Sequence, residues 1–257
     1  MASTPHKTFS GKVIAITGAA SGIGRAVTVY LANRGATLAI SDIQSNALAQ
    51  VVEEVSKSNP GIKIKATVVD VTKSDQVQTW ISRTAQKFGP LDGAANIAGI
   101  AGITKESFCL QTDADWKSVL DVNLLGTMYS LREELKHLKD GGSIVNTSSV
   151  LGLRSSPFPG EAAYVASKHA VLGLTRNTAR EYGHRNIRIN CVNPGAIDTP
   201  MMQQEPGQEE MDMSAINPPI SRFGRPEEVA AAIGFLLGNE SSYISGAAIV
   251  VDGGLIC

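Results

Sequence analysis

The sequence predicts an α/β protein whose parallel sheet is covered by helices on both faces. Short apolar runs rich in β-branched residues alternate with amphipathic stretches from Lys12 to Val251. The first such run hands over directly to a glycine-rich turn. Strands alternating with helices of about ten or more residues imply a parallel sheet buried on both sides. The chain has 257 residues, 43% of them hydrophobic, enough to fill one large core.

Each element has its own signal. Lys12–Thr17 is a short buried strand ended by glycine. Gly22 to Arg34 follows with helical spacing at Ile23, Val27, Tyr30 and Leu31, and Gly35 is placed to cap it. Ala36–Ser41 is the second strand, Gln44–Lys57 a helix, Ser58-Asn59-Pro60-Gly61 a turn and Ile62–Val69 a strand. A helix over Ser74–Phe88, a strand near Leu91–Asn96 and one long helix from Asp113 to Leu138 come next. Strands are expected at Ser143–Thr147, Arg188–Val192 and Ala247–Val251, with helices near Ala162–Tyr182 and Pro226–Leu237. The run Arg132–Lys139 reads as the solvated end of a helix. Asp198–Arg225 is the one long irregular stretch, and a loop of that length is expected to lie over a ligand as a lid.

No repeat or linker divides the chain, so residues 1–10 read as a polar N-terminal tail and 11–257 as one domain. Twenty-three basic and 24 acidic residues leave a net charge of −1, which argues against nucleic acid and anionic membranes as partners. No stretch approaches the roughly 20 apolar residues of a membrane span. Cys109, Cys191 and Cys257 are odd in number and far apart, suiting a reducing, cytoplasmic setting. Neither they nor His6, His137, His169 and His184 have metal-ligand spacing, so no metal is expected.

Thr17-Gly18-Ala19-Ala20-Ser21-Gly22-Ile23-Gly24 occupies the first strand-to-helix turn. Glycines here let backbone approach a pyrophosphate, and the helix N-terminus favours the anion. Gly18, Ser21, Gly22, Ile23 and Gly24 are therefore candidate contacts. Asp42 follows the second strand, 18 residues after Gly24, near the separation at which a carboxylate grips the ribose hydroxyls of NAD. The lesser alternative is a simple N-cap for the next helix. Tyr164 and Lys168 stand four residues apart on one helix face, where a cation favours the phenolate and can bring a phenol of pKa about 10 into useful range. Ser148-Ser149 ends a strand at the edge expected to face a ligand.

Together these residues resemble the short-chain dehydrogenase/reductase family in its compact form. The resemblance runs from Gly11 to about Gly254 and includes Asp70-Val71, Asn96-Ile97-Ala98-Gly99, Asn123, Pro194-Gly195-Ala196-Ile197-Asp198-Thr199 and Val251-Asp252-Gly253-Gly254. It implies a single Rossmann-type domain with a seven-stranded parallel sheet. It implies that Tyr164 exchanges the substrate proton and also contacts the cofactor, Ser149 bonds the substrate oxygen, Lys168 binds the nicotinamide ribose and Asn123 helps hold a relay water. Asp70 and Val71 would flank the adenine. Asn96, Ala98 and Gly99 would line the adenosine side and support the central strands. Pro194, Gly195, Ile197 and Thr199 would border the nicotinamide.

The family usually shows Asn-Asn-Ala-Gly where this chain has Ile97 in second place, and strand alternation is expected to keep Ile97 from affecting cofactor contact. Ser149 and Tyr164 lie slightly further apart than is usual in the family, which leaves Ser148 as an alternative to Ser149. Phe158, Met201 and Met202 are candidate pocket walls, alongside the segments 100–109, 154–161 and 198–225. The expected activity is NAD-dependent interconversion of a secondary alcohol and a ketone on a medium-sized hydrophobic small molecule, a secondary-metabolite intermediate being one candidate. The alternatives are non-redox or cyclisation chemistry, or an NADH-binding regulator without turnover. A homo-oligomer, tetramer or dimer, is implied, with Asp113–Leu138 and Ala162–Tyr182 as its candidate helices.

Overall fold

The structure is a computed structural model that describes residues 8–102, 104, 106–203 and 218–257. Most of the N-terminal tail with His6, and the middle of the expected lid, lie outside the described residues. Seven parallel strands form one sheet: β1 Val13–Thr17, β2 Thr37–Asp42, β3 Ile64–Val68, β4 Leu91–Asn96, β5 Leu138–Thr147, β6 Arg188–Pro194 and β7 Ala248–Val251. Their order is β3-β2-β1-β4-β5-β6-β7. The helices are α1 Gly22–Ala32, α2 Ser45–Ser58, α3 Ser74–Phe88, α4 Asp113–Leu120, α5 Thr127–His137, α6 Ala162–Tyr182, the short α7 Pro200–Gln203 and α8 Pro226–Leu237.

Strand alternation divides the core in two. Ile14, Ile16, Leu38 and Ile40 pack with Val27 and Leu31 of α1, Val51 of α2 and Ile233 of α8. Val13, Ala15 and Ile144 face the other way, towards Trp80 and Ile81 of α3, Leu131 and Leu135 of α5, and Ala179 of α6. Both sheet faces are therefore covered, as the apolar runs require. Gly35, at φ +85°, ends α1: its N–H reaches the Ala32 carbonyl and that of Ala36 the Leu31 carbonyl, a paired closure that favours glycine.

The strand order reverses between β1 and β4, whose carboxyl ends diverge around Thr17 and Asn96. Thr17 Oγ1 accepts from the N–H groups of Ile97 and Ala98 at 3.0 and 3.2 Å, pinning the chain as it leaves β4. This is the crevice where doubly wound sheets bind ligands.

Three expectations need correction. The single helix Asp113–Leu138 is divided by a π-helical turn at Asp121–Gly126, and β5 begins at Leu138, five residues before the expected start. Nor is Arg132–Lys139 a solvated end: Glu133, Glu134, Leu135 and Leu138 are all buried. α5 is sandwiched between α3 and the sheet, so polar residues in its last turns face protein. No helix among the described residues is long and apolar enough to cross a membrane.

Candidate active site

A cavity of about 350 Å³ opens at the carboxyl ends of the strands and runs from Asp42 past the glycine loop to Tyr164. At one end the β1–α1 turn curls tightly. Gly18 and Gly22 have φ of +68° and +49°, a region that side chains disfavour. A Cβ on Gly18 would lie 2.7 Å from the Ala98 nitrogen, and one on Gly24 would collide with the Gly18 carbonyl. Ser21, the N-cap of α1, makes no side-chain cap bond, which leaves the first-turn amides available to an anion.

Asp42 ends β2 and is almost fully buried. Its Oδ2 accepts from the Ala20 N–H and its Oδ1 from the Gln44 N–H, both at 2.9 Å. The carboxylate thus ties the glycine loop to the end of β2 while one lone-pair site on each oxygen remains for a diol. Arg25, next to the glycine loop in the chain, pairs with Glu54. Asp70 and Val71 follow β3 on the same wall, with Asp70 Oδ1 accepting from the N–H and hydroxyl of Thr72.

At the other end β5 delivers Ser148 and Ser149. The Ser148 hydroxyl donates to the Lys168 carbonyl at 2.8 Å, so it is committed to holding α6. Ser149 caps the 3-10 turn Val150–Gly152, accepting from the Leu151 N–H at 3.1 Å, and its hydroxyl is close enough to Tyr164 to act against the rise in the phenol's pKa. That arrangement favours Ser149 over Ser148 as the substrate-facing hydroxyl. Lys168 is buried, donates to the Thr147 carbonyl at 3.1 Å and has its Nζ 5.4 Å from the centre of the Tyr164 ring.

The electrostatics differ from the expectation that Lys168 would bring the phenol down. Burial pushes Tyr164 up to about 12, with the Ser149 hydroxyl opposing and the Glu161 charge adding to the rise. Burial likewise pushes Lys168 down to about 8. In the protein alone Tyr164 therefore holds its proton at neutral pH.

Gly18, Ser21, Gly22, Ile23, Gly24, Asp42, Asp70 and Val71 all line the one cavity, and so do Ala98, Gly99, Ser149, Tyr164, Lys168, Pro194, Gly195, Ile197 and Thr199. Asn96 and Asn123 do not. Asn96 turns into the protein behind the strands. Asn123 sits in the π-helical turn, where Oδ1 accepts from the Ile100 N–H at 2.8 Å and Nδ2 donates to the Ile100 carbonyl and Ser167. It is thus bonded to a neighbouring segment and to α6. A Cβ on Gly99 would lie 3.2 Å from Asn123 Oδ1 and 3.5 Å from Lys168 Nζ, which places both beside the cavity floor.

Ile97, expected to stay clear, also lines the cavity, because β4 ends at Asn96 and strict alternation ends with it. Met201 and Met202 line it as well, whereas Phe158 stands outside it, part-exposed. Val122 and Thr147 are lining residues that sequence reasoning missed. Only Thr147, two places before Ser149 on β5, carried a readable signal.

The glycine turn, the uncapped helix end and the Asp42 carboxylate fit a nicotinamide dinucleotide lying along this cavity. Among the described residues no cluster of three or more His, Cys, Asp or Glu could hold a metal ion. Residues 18–256 match the family model described as Enoyl-(Acyl carrier protein) reductase. The chain is 43% identical over 256 residues to the short-chain dehydrogenase/reductase aba4 of Botryotinia fuckeliana, covering 97% of this chain and 98% of that protein. Levodione reductase of Leifsonia aquatica is 38% identical over 264 residues, covering 98% and 97%. The crystal structure of levodione reductase matches with a TM-score of 0.89 at 38% identity, covering 96% of this chain and 98% of that one. A blue fluorescent protein from a metagenomic library, solved with NADPH, is 30% identical with a TM-score of 0.89 over 97% and 100% of the two chains. The chain therefore belongs to the short-chain dehydrogenase/reductase family of oxidoreductases, which use nicotinamide cofactors.

Proposed function

We propose that this oxidoreductase uses NAD to interconvert a secondary alcohol and a ketone, with Tyr164 as the general acid/base. The observation that carries the proposal is one cavity holding the Asp42 carboxylate at one end and Ser149, Tyr164 and Lys168 at the other. When bound, the dinucleotide supplies or accepts the hydride. Ser149, held by its own turn, hydrogen-bonds the substrate oxygen and sets it beside the phenol. Tyr164 gives that oxygen a proton during reduction and takes it back during oxidation. Lys168, anchored on the Thr147 carbonyl, keeps further N–H groups that would hold the nicotinamide ribose. Asn123 supports this end from behind through Ile100 and Ser167.

Asp42 supports NAD over NADP. Its carboxylate would face the 2′-phosphate of NADP, and Ser21, Ile43 and Gln44 bring no charge to offset it. Met201, Met202 and Ile100 give the substrate end an apolar wall, which supports a medium-sized hydrophobic substrate. Further parts of the same reading are a cytoplasmic location and assembly as a homotetramer or dimer; sedimentation would return the protomer mass if no assembly exists. The decisive assay follows NADH absorbance with secondary alcohols and NAD, and with ketones and NADH, each repeated with the NADP pair. Turnover with the NAD pair is expected. Tight NADH binding with no turnover across a broad panel would instead favour a regulator, or a non-redox reaction that keeps the cofactor.

A further inference from the structure

Glu134 has no part in the chemistry above, yet it is fully buried behind the site. From α5 its Oε2 accepts from Asn96 Nδ2 at 3.0 Å, at the carboxyl end of β4. The same Nδ2 donates to Asn146 Oδ1 at 3.0 Å, on the paired residue of β5. Asn146 Nδ2 in turn donates to Thr175 Oγ1 at 2.9 Å, and that hydroxyl donates to the Val171 carbonyl at 2.8 Å, both on α6. The bonds form a continuous strut from α5 through the two central strands to the helix carrying Tyr164 and Lys168. It crosses β4 and β5 just before residues 97–99 and 148–149 leave the sheet to line the cavity.

We propose that Glu134 is a positioning residue that fixes α6, and with it Tyr164 and Lys168, against the carboxyl ends of β4 and β5 through Asn96, Asn146 and Thr175.

The charge surroundings require Glu134 to work as a neutral acid. On α5, Glu133 pairs with Arg132 and Lys136, and the half-exposed His137 lies against Ser82. From α3, Asp75, Arg83 and Lys87 are exposed. On β4 and β5, Asp92 pairs with Lys139, and Asp140 pairs with Arg185. In the π-helical turn, Asp121 pairs with Lys117. Among the described residues no cation pairs with Glu134, and burial raises it to about 8, against the opposing Asn96 bond. The unfolded chain releases this proton near the ordinary carboxylate range. This group's contribution to stability is therefore full below that range, declines as pH rises to about 8, and changes no further above it.

The test compares Glu134→Gln, which keeps an acceptor for Asn96 but cannot ionise, with Glu134→Leu, which removes the acceptor. Two readouts need no substrate. Wild-type Tm should fall relative to that of Glu134→Gln between about pH 5 and pH 8. Hydrogen exchange in α6 should quicken in Glu134→Leu and match wild type in Glu134→Gln. Parallel Tm profiles, or unchanged α6 exchange in Glu134→Leu, would overturn the proposal. Should Glu134→Leu not fold, Thr175→Val cuts the same strut at its far end and should give the same α6 signature. The kinetic arm rests on the proposed oxidoreductase activity. With the best alcohol of the panel, kcat should fall about tenfold or more in Glu134→Leu, as small misplacements of reacting groups do, with NADH affinity little changed. Gln should rescue it, and the Glu134→Leu/Thr175→Val pair should be non-additive. Unaltered kcat in a folded Glu134→Leu would refute positioning, whereas loss of turnover in wild type itself would count only against the proposed activity.

Discussion

Ser148 spends its hydroxyl on the Lys168 carbonyl and Lys168 spends one N–H on Thr147, while Ser149 and Tyr164 both line the cavity. Tyr164→Phe should remove the proton while keeping the ring, so turnover should drop about a hundred- to ten-thousand-fold with NADH affinity nearly constant. More than about a tenth of wild-type turnover in a chemistry-limited assay would rule the role out. The Tyr-Lys spacing was legible in the sequence, but the balance between burial and the lysine cation was not, because desolvation depends on residues distant in the chain. Asp42 shows the same limit. Its distance from the glycine loop suggested ribose binding, yet both oxygens also receive loop amides. Asp42→Ala would therefore strand two N–H groups, and Ile43→Arg, at an exposed position on the cavity rim, is the cleaner change. Wild type should have the higher kcat/KM with NAD, and Ile43→Arg should narrow the gap. Equal values in wild type would mean that Asp42 serves only the loop.

At the scale of elements, the β1–α1 turn was the most legible part of the chain. Its glycines report backbone that must come close to other backbone. Gly24→Ala would drive a methyl into the Gly18 carbonyl, with main chain on both sides and no flexible side chain to yield. Dinucleotide affinity should fall at least about tenfold, a loss of roughly 1.4 kcal/mol, measured by NADH fluorescence titration. Unchanged affinity would mean that the loop does not approach the ligand. The stretch from Asp113 to His137 was less legible. Apolar periodicity reports that a helix exists, but a π-helical turn alters one hydrogen-bond register and leaves the composition untouched. The start of β5 was hidden for a different reason: Asp140-Gly141-Gly142 reads as a turn, and Gly141 takes φ +78° where the β4–β5 register shifts. Glu134 was hidden most completely. Two glutamates among arginine and lysine suggest a wet surface, and only the packing of α5 between α3 and the sheet buries them.

For the whole molecule, the cavity draws on loops that follow β1 to β6, so binding should stabilise the fold as a unit. Those loops converge because all seven strands run parallel and present their carboxyl ends on one side. A ligand that binds only the native state adds RT ln(1 + [L]/Kd), about 2.7 kcal/mol at a hundredfold excess over Kd. For a chain of this size each kcal/mol moves Tm by roughly 2–4 °C. NADH at that excess should therefore raise Tm by about 5–10 °C. The same concentration of NADPH should do markedly less if Asp42 faces the ribose hydroxyls, since the 2′-phosphate would meet its carboxylate. Tyr164→Phe should keep most of the NADH shift, because the ring stays in place and only one hydroxyl is lost. Gly24→Ala should lose most of it. A Tyr164→Phe protein that lost the shift would have a damaged cavity, and its lost turnover could no longer be assigned to the missing proton.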